Sequence, residues 1–260
     1  MEHDQLLLDA MECAHRAGKI HLEYFRSANL GATAKLNDSD IVTVADRCSE
    51  AAIIDYVHEH YPTHSILSEE SGEEKRDTDY EWVIDPVDGT TNYNAGLPTF
   101  CVSIGIRHRG ETVVGVVFAP YLNELFHAVR GEGAYLNGKR IAVSSNIDLH
   151  KAVVSTGFPV DKDTNADNNL ANVARVLPHV RGLRRLGSAA MDICYVAAGF
   201  LDAYWELNLH EWDVCAALLI AGEAGAEVSH FRSDRNVSVL VGAPAIAAAI
   251  DPLLSRKPAE

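Results

Sequence analysis

Basic residues are scarce. The 260-residue chain carries 22 Lys and Arg against 37 Asp and Glu, for a formal net charge of −15. Such a balance offers no cationic surface to displace counterions from nucleic acid or anionic lipid, so neither is expected as a partner. Long apolar runs are also missing. No stretch approaches the roughly 18 residues needed to cross a bilayer. Met1-Glu2-His3-Asp4 leads straight into a helical pattern, without the basic-then-apolar layout of a signal peptide. The expectation is a cytoplasmic protein. The five cysteines (Cys13, Cys48, Cys101, Cys194, Cys215) are scattered, with no Cys-x-x-Cys pair. This argues against a disulfide framework or zinc knot and reads as buried thiols in a reducing compartment. The 12 histidines show no ligand spacing. No repeat, low-complexity tract or Pro- or Ser-rich linker divides the chain, so one domain over 1–260 is expected, with close-packed lobes of roughly 1–150 and 151–260.

Nearly half the residues are hydrophobic (47%), enough for a substantial core. Leu7, Met11, Ala14, Gly18 and Phe25 recur near helical spacing and predict a helix over 4–26. Residues 27–41 read as a loop, and Thr43 caps a helix running to His60. Ser65-Ile66-Leu67 and Trp82-Val83-Ile84 read as strands. Three β-rich runs at 100–107, 112–118 and 124–129, with Asn137-Gly138 beyond them, predict an antiparallel meander. From Lys151 strands alternate with helices, at 153–155, 165–177, 187–198, 203–205, 212–224, 239–241 and 244–254. The fold class is α/β, with an antiparallel first half and an alternating second half.

The sharpest local signal is Trp82-Val83-Ile84-Asp85-Pro86-Val87-Asp88-Gly89-Thr90-Thr91-Asn92. Two carboxylates leave the end of a strand with Pro86 stiffening the turn between them. Gly89 permits close backbone approach, and Thr90 adds a hydroxyl at a possible helix start, where free amides attract an anion. Carboxylates, carbonyls and hydroxyls are hard oxygen donors suited to Mg²⁺. A divalent cation would also reconcile so acidic a chain with a phosphate ligand.

This segment resembles the first signature of the inositol monophosphatase family, W-x-I-D-P-[IV]-D-G-T-x-N. Trp212-Asp213-Val214-Cys215-Ala216-Ala217 is similar to the second, W-D-x-[SA]-[AG]-[AG], with Cys215 where Ser or Ala is usual. Ser68-Glu69-Glu70-Ser71 resembles the family's G-E-E-S, with Ser68 for Gly. Lys35, Asp40, Thr43 and Asp46 are similar to its mobile loop, K-x4-D-x-V-T-x-x-D, which helps hold a further, weaker metal and an activated water. Asp46 with Thr43 reads equally as a helix cap, and Asp38 as merely solvated.

The resemblance implies a layered αβαβα sandwich and a Mg²⁺-dependent, lithium-sensitive phosphatase with two or three metal ions per site. By it, Glu69, Asp85, the Val87 carbonyl, Asp88 and Asp213 are metal ligands, and Glu69, Thr90 and Asp46 are catalytic. Gly89, Thr90, Ser188, Ala189 and Glu206 face the substrate. Glu206 lies in Ala203-Tyr204-Trp205-Glu206, similar to the family's D-A-Y-x-E. The chain shows neither the D-x-D-x-[TV] nor the C-x5-R phosphatase motif, which makes water the expected nucleophile. The implied substrate is a small phosphorylated polyol, inositol 1-phosphate foremost, and the implied assembly is a homodimer. Alternatives are fructose-1,6-bisphosphatase, histidinol-phosphatase and adenosine 3′,5′-bisphosphate phosphatase activity. A regulatory binding protein of the same fold is a further one, since some bacterial relatives associate with transcription machinery.

Overall fold

The computed structural model describes residues 2–27, 31, 33, 34 and 41–256, so Lys35, Asp38 and Asp40 lie outside the described residues. The elements run α1 (Glu2–Tyr24), β1 (Thr33–Ala34), β2 (Ile41–Val42), α2 (Val44–His60), β3 (Ser65–Ser68), β4 (Gly72–Glu74), β5 (Tyr80–Asp88) and α3 (Thr90–Asn94). Then come β6 (Cys101–His108), β7 (Glu111–Ala119), β8 (Glu124–Val129), β9 (Gly133–Leu136), β10 (Lys139–Arg140), β11 (Val153–Thr156) and α4 (Leu170–Val176). The chain finishes with β12 (Gly182–Arg184), α5 (Ala189–Ala197), β13 (Ala203–Leu209), α6 (Glu211–Glu223), β14 (Glu227–Arg232), β15 (Val237–Gly242) and α7 (Pro244–Ile250).

An eight-stranded sheet has the order β10-β9-β8-β7-β6-β5-β3-β4, parallel only between β3 and β5. A five-stranded sheet has the order β12-β11-β13-β15-β14; its first two ladders are parallel and the other two antiparallel. Alternation along the strands decides what covers each face. Ile84, Val102, Ile104 and Ile106 face α1 and α2, where Leu6, Ala10, Cys13, Ala14, Ala17, Ile53 and Val57 meet them. Cys101, Val117, Phe126 and Ala128 share a second cluster with α5 and α6 and with Tyr204, Val239 and Val241 of the smaller sheet. The outer face of that sheet buries Trp205 and Leu240 against Ile246 and Ile250 of α7. The result is the layered αβαβα sandwich. Each fully buried Ile or Val contributes on the order of 1.5–3 kcal/mol relative to exposure.

α6 reaches the large sheet through two glycines paired across β6 and β7, Gly105 and Gly115. A Cβ on Gly105 would stand 2.4 Å from Cys215 Sγ, and one on Gly115 would stand 2.6 Å from the Ala216 carbonyl oxygen. The small residues after Asp213 are there because helix and sheet meet nearly backbone to backbone.

Three sequence expectations change. Residues 165–169 are not helical, and α4 begins only at Leu170. Their amide side chains capture backbone and polar groups: Asn165 Oδ1 accepts from Asp167 N, and Asn169 donates to Thr156 Oγ1 and the Gly157 carbonyl. The second half does not alternate to its end, because β14 and β15 form an antiparallel pair. The loop after α1 ends in a short ladder between β1 and β2. At Asn137-Gly138 both residues have positive φ (49° and 74°), as a tight hairpin turn requires.

The glycine contact gives a paired expectation. Gly115→Ala should lose about 1–3 kcal/mol through overpacking. Gly222→Ala, with open space around its Cβ and helical backbone, should gain up to about 1 kcal/mol. Urea denaturation of both variants is the measurement; a neutral Gly115→Ala would refute the close contact.

Candidate active site

A bulge in β5 builds the first half of the site. Asp85 pairs with Ser103 and Asp88 with Cys101, so three residues on β5 span the distance of two on β6. Pro86 has no N–H to give to the ladder, which is why the extra residue sits there. In a regular strand, positions three apart face opposite sides. The bulge returns Asp88 to the side of Asp85, towards α5 and α6. Val87 N donates to Asp85 Oδ1 at 3.0 Å, which holds the turn in shape.

α5 delivers the next contacts. Ser188 is its N-cap. Its hydroxyl donates to Asp88 Oδ2 at 2.7 Å, Ala190 N donates to the same oxygen at 2.6 Å, and Ala189 N donates to Oδ1 at 3.3 Å. A carboxylate against a helix N-terminus is favoured by the unpaired amides there. Ser188 and the Ala189 amide, expected to face substrate, thus hold Asp88. Cys101 Sγ lies in the same pocket, 3.6 Å from Ser188 Oγ.

Asp213 enters from the first turn of α6, far along the chain. Its Oδ2 accepts from His210 N at 2.7 Å, closing a capping box. The His210 ring stacks on Trp212 at 4.6 Å, a packing and capping role. Ser103 Oγ donates to the Trp212 carbonyl, tying this helix start to the strand position opposite Asp85.

These carboxylates repel one another. Asp85 is held well above the usual range, first by burial and then by the charges of Glu69, Asp88, Asp213 and Asp46. Asp213 is raised likewise by burial, then by Asp88, against the lowering bond from His210 N. Burial pushes Asp88 up to about 6 despite three hydrogen bonds that lower it. Among the described residues, no Lys or Arg is a main influence on any of the three.

Glu69 is positioned by a residue the sequence reading did not single out. Buried Glu50 on α2 accepts from Ser68 Oγ, from Glu70 N and Ser71 N at 3.1 Å each, and from Ser71 Oγ at 3.2 Å. Ser68, where the family pattern has Gly, supplies one of these bonds. Glu69 N donates to the Ile84 carbonyl at 3.2 Å, setting it one strand away from Asp85. Glu70 is half-buried.

The helix-cap reading of Asp46 is met, and the same carboxylate also reaches Thr90. It closes the capping box of α2 with Thr43, whose backbone N donates at 2.9 Å. It also accepts from Thr90 Oγ1 at 3.1 Å. Thr90 Oγ1 lies 2.8 Å from the Val87 carbonyl as well. Burial pushes Asp46 up to about 6, in spite of its bonds to Thr43.

Gly89 has φ 94°, and a Cβ there would meet the Thr99 carbonyl oxygen at 2.9 Å and the Gly187 carbonyl oxygen at 3.2 Å. Its glycine is demanded by neighbouring backbone. Asn92 bridges the same loops, donating to the Thr99 and Leu186 carbonyls at 2.7 Å each. Glu206 accepts from Tyr204 Oη. It is pushed up to about 7 by burial, against the lowering effects of Tyr204 and the Arg185 charge. Arg185 also acts on Asp192, a buried α5 carboxylate with one unpartnered oxygen.

Among the described residues no three His, Cys, Asp or Glu side chains are gathered as a finished chelate. The fit to a metal rests on donor chemistry. Glu69, Asp85, Asp88 and Asp213 supply hard oxygens whose mutual repulsion a divalent cation would relieve, and Mg²⁺ suits such donors. No helix among the described residues is long and apolar enough to cross a membrane.

Comparison with known proteins agrees with this geometry. The sequence model of the inositol monophosphatase family matches residues 2–257. The chain is 46% identical over 225 residues to the Nus factor SuhB of Pasteurella multocida, covering 86% of this chain and 84% of that protein. It is 40% identical over 246 residues to the Nus factor SuhB of Escherichia coli, covering 93% and 92%. Among solved structures, the inositol monophosphatase from Anabaena superposes with a TM-score of 0.87 at 36% identity, over 99% of this chain and 98% of that one. With matches that run almost end to end, this chain belongs to the inositol monophosphatase family.

Proposed function

We propose that the chain hydrolyses small phosphorylated polyols, inositol 1-phosphate foremost, with two or three Mg²⁺ ions held by Glu69, Asp85, the Val87 carbonyl, Asp88 and Asp213. The observation that carries this reading is the set of carboxylates that raise one another's pKa with no cationic side chain, among the described residues, in the main influences on Asp85, Asp88 and Asp213. When bound, the ions would neutralise phosphate oxygens, lower the pKa of a bound water and stabilise the leaving alkoxide.

The chain's own residues have complementary tasks. Thr90 donates to Asp46, which sits near 6 and so exchanges a proton close to neutrality. Thr90 and Glu69 orient the attacking water; Thr90 takes its proton while passing its own to Asp46. The Gly89 and Thr90 amides, at the start of α3, face the phosphate. Glu206 accepts hydrogen bonds from polyol hydroxyls, with Tyr204 fixing its rotamer. Gly187-Ser188-Ala189-Ala190 lends its remaining backbone to the substrate. A second reading follows from the curated relatives named Nus factor SuhB: a binding role in transcription, through protein contacts in view of the −15 charge. Affinity capture from extract beside a phosphate-release assay separates the two.

Phosphate release across a panel of phosphomonoesters is the central test. EDTA should abolish it and Mg²⁺ restore it. Asp85→Asn keeps the acceptor for Val87 N but loses charge, and should lower kcat at least about a hundredfold, or about 2.7 kcal/mol. Near-normal turnover would remove Asp85 from the site.

The carboxylate pKa values also set a pH dependence. Asp46 and Asp88 are pushed up to about 6 in the folded chain, against the ordinary 3.8 of an aspartate carboxyl. The folded state therefore holds protons that the unfolded state releases, so metal-free stability is greatest below about pH 4 for these groups and is lost as pH rises through about 6. Melting curves in EDTA should show this fall, and Mg²⁺ should raise Tm more at pH 7.5 than at pH 5. An equal Mg²⁺ effect at both would contradict the repulsion argument.

Specificity is tested by Glu206→Ala. Each charged hydrogen bond to a substrate hydroxyl contributes on the order of 1.5–3 kcal/mol. The preference for inositol 1-phosphate over glycerol 2-phosphate, read as kcat/KM, should narrow about tenfold or more. Equal losses on both substrates would assign Glu206 to structure.

A further inference from the structure

The buried stripe of α1 ends on a polar residue. Leu6, Ala10, Cys13, Ala14 and Ala17 are apolar, and the next position on that face is His21, fully buried. Its ring meets Tyr93 and Phe100 edge-on at 6.1 and 5.9 Å. Burial pushes it down to about 4, so the imidazole is neutral and carries one N–H. Nε2 lies 2.8 Å from the Pro86 carbonyl oxygen, which can only accept, and Nδ1 is buried without a partner. The proton is therefore on Nε2.

Pro86 lies in the β5 bulge between two proposed metal ligands, and the peptide it forms with Val87 is gripped at both ends. His21 donates to its carbonyl, and its N–H, on Val87, donates to Asp85 Oδ1. Ser49 Oγ, the other group near that carbonyl, is 3.5 Å away and makes a 2.5 Å bond to the Ala45 carbonyl instead. Tyr93 Oη in turn donates to the His21 backbone carbonyl at 2.6 Å, fixing the helix turn that carries the ring.

We propose that His21 is a positioning residue for the metal site: through the Pro86–Val87 peptide it fixes the plane of the bulge, and with it the direction of the Asp85 carboxylate and the Val87 carbonyl. Hydrogen bonds in series polarise one another in a buried setting, so the His21 bond also strengthens the hold of Val87 N on Asp85. The inference rests on the metal reading of Asp85 and Val87 given above. Groups behind a ligand set metal affinity by orienting it, and losing one typically weakens binding by about 10–100-fold.

Two substitutions separate orientation from packing. His21→Phe keeps a ring but has no donor; His21→Gln keeps a donor at the reach of Nε2. Calorimetric titration of the full-length protein with Mn²⁺ should show His21→Phe binding at least about tenfold more weakly and His21→Gln close to wild type. The Mg²⁺ concentration for half-maximal phosphate release should rise in step, and urea denaturation reports any loss of stability separately. Nitrogen NMR of the wild type gives a check that needs no variant: His21 should be protonated on Nε2, with a resonance that moves when Mg²⁺ is added. Wild-type affinity in His21→Phe, an Nδ1-protonated His21, or a resonance blind to Mg²⁺ would each overturn the positioning role. Wild-type protein that fails to bind Mn²⁺ would overturn the metal reading itself, and this role with it.

Discussion

One extra residue in β5 sets the geometry on which the rest depends. Without the bulge at Pro86 and Val87, Asp85 and Asp88 would face opposite layers of the sandwich. With it, both look into the layer occupied by α5 and α6. That layer supplies what two carboxylates on one strand lack: amides for Asp88 from the start of α5, and a third carboxylate, Asp213, from the start of α6. The site is thus assembled at the ends of elements, while their middles do the packing.

Two opposing electrostatic influences meet there. Helix starts and hydroxyls favour the ionised carboxylates, whereas burial and like charge disfavour them. For Asp85, Asp88 and Asp213 the second influence wins, and each is raised in spite of its hydrogen bonds. A purely structural acidic cluster would be expected to recruit Arg or Lys, as this chain does elsewhere: Arg232, buried, pairs with Asp167 and Asp234, and Arg235 pairs with Asp161. Among the described residues no such partner is a main influence at the strand end, which sets that place apart.

The legible parts of the sequence were those whose determinants are local. Asp85 and Asp88 announce themselves through strand, Pro turn and Gly within a few residues, and Thr43 with Asp46 through cap spacing. Asp213 was found only by family resemblance, since nothing nearby in the chain marks Trp212-Asp213 as part of a site. Glu50 and His21 escaped notice because their partners lie 18 to 21 and 65 residues away and exist only after folding. Both sit on faces of regular helices, where a polar residue at a buried position looks like an interruption of the pattern. The stretch 165–169 departs from the helical expectation for a local reason: helical periodicity competes with Asn side chains that bond the backbone two residues on, Asn165 at Asp167 N and Asn168 at Leu170 N, and here the side chains win.

The contact of α6 with Gly105 and Gly115 bears on how such a chain diverges. Where a helix is seated on side chains, each substitution in the seat shifts it, and a residue at its tip drifts accordingly. Here part of the seat is main chain: Gly115 approaches the Ala216 carbonyl, and Gly105 presents only its own backbone to the Cys215 side chain. Main-chain atoms do not change with sequence. Neutral substitutions elsewhere in the core can therefore accumulate without moving Asp213, provided neither glycine gains a methyl group. Such a seat allows lineages to share an arrangement of carboxylates long after most of the surrounding residues have been exchanged.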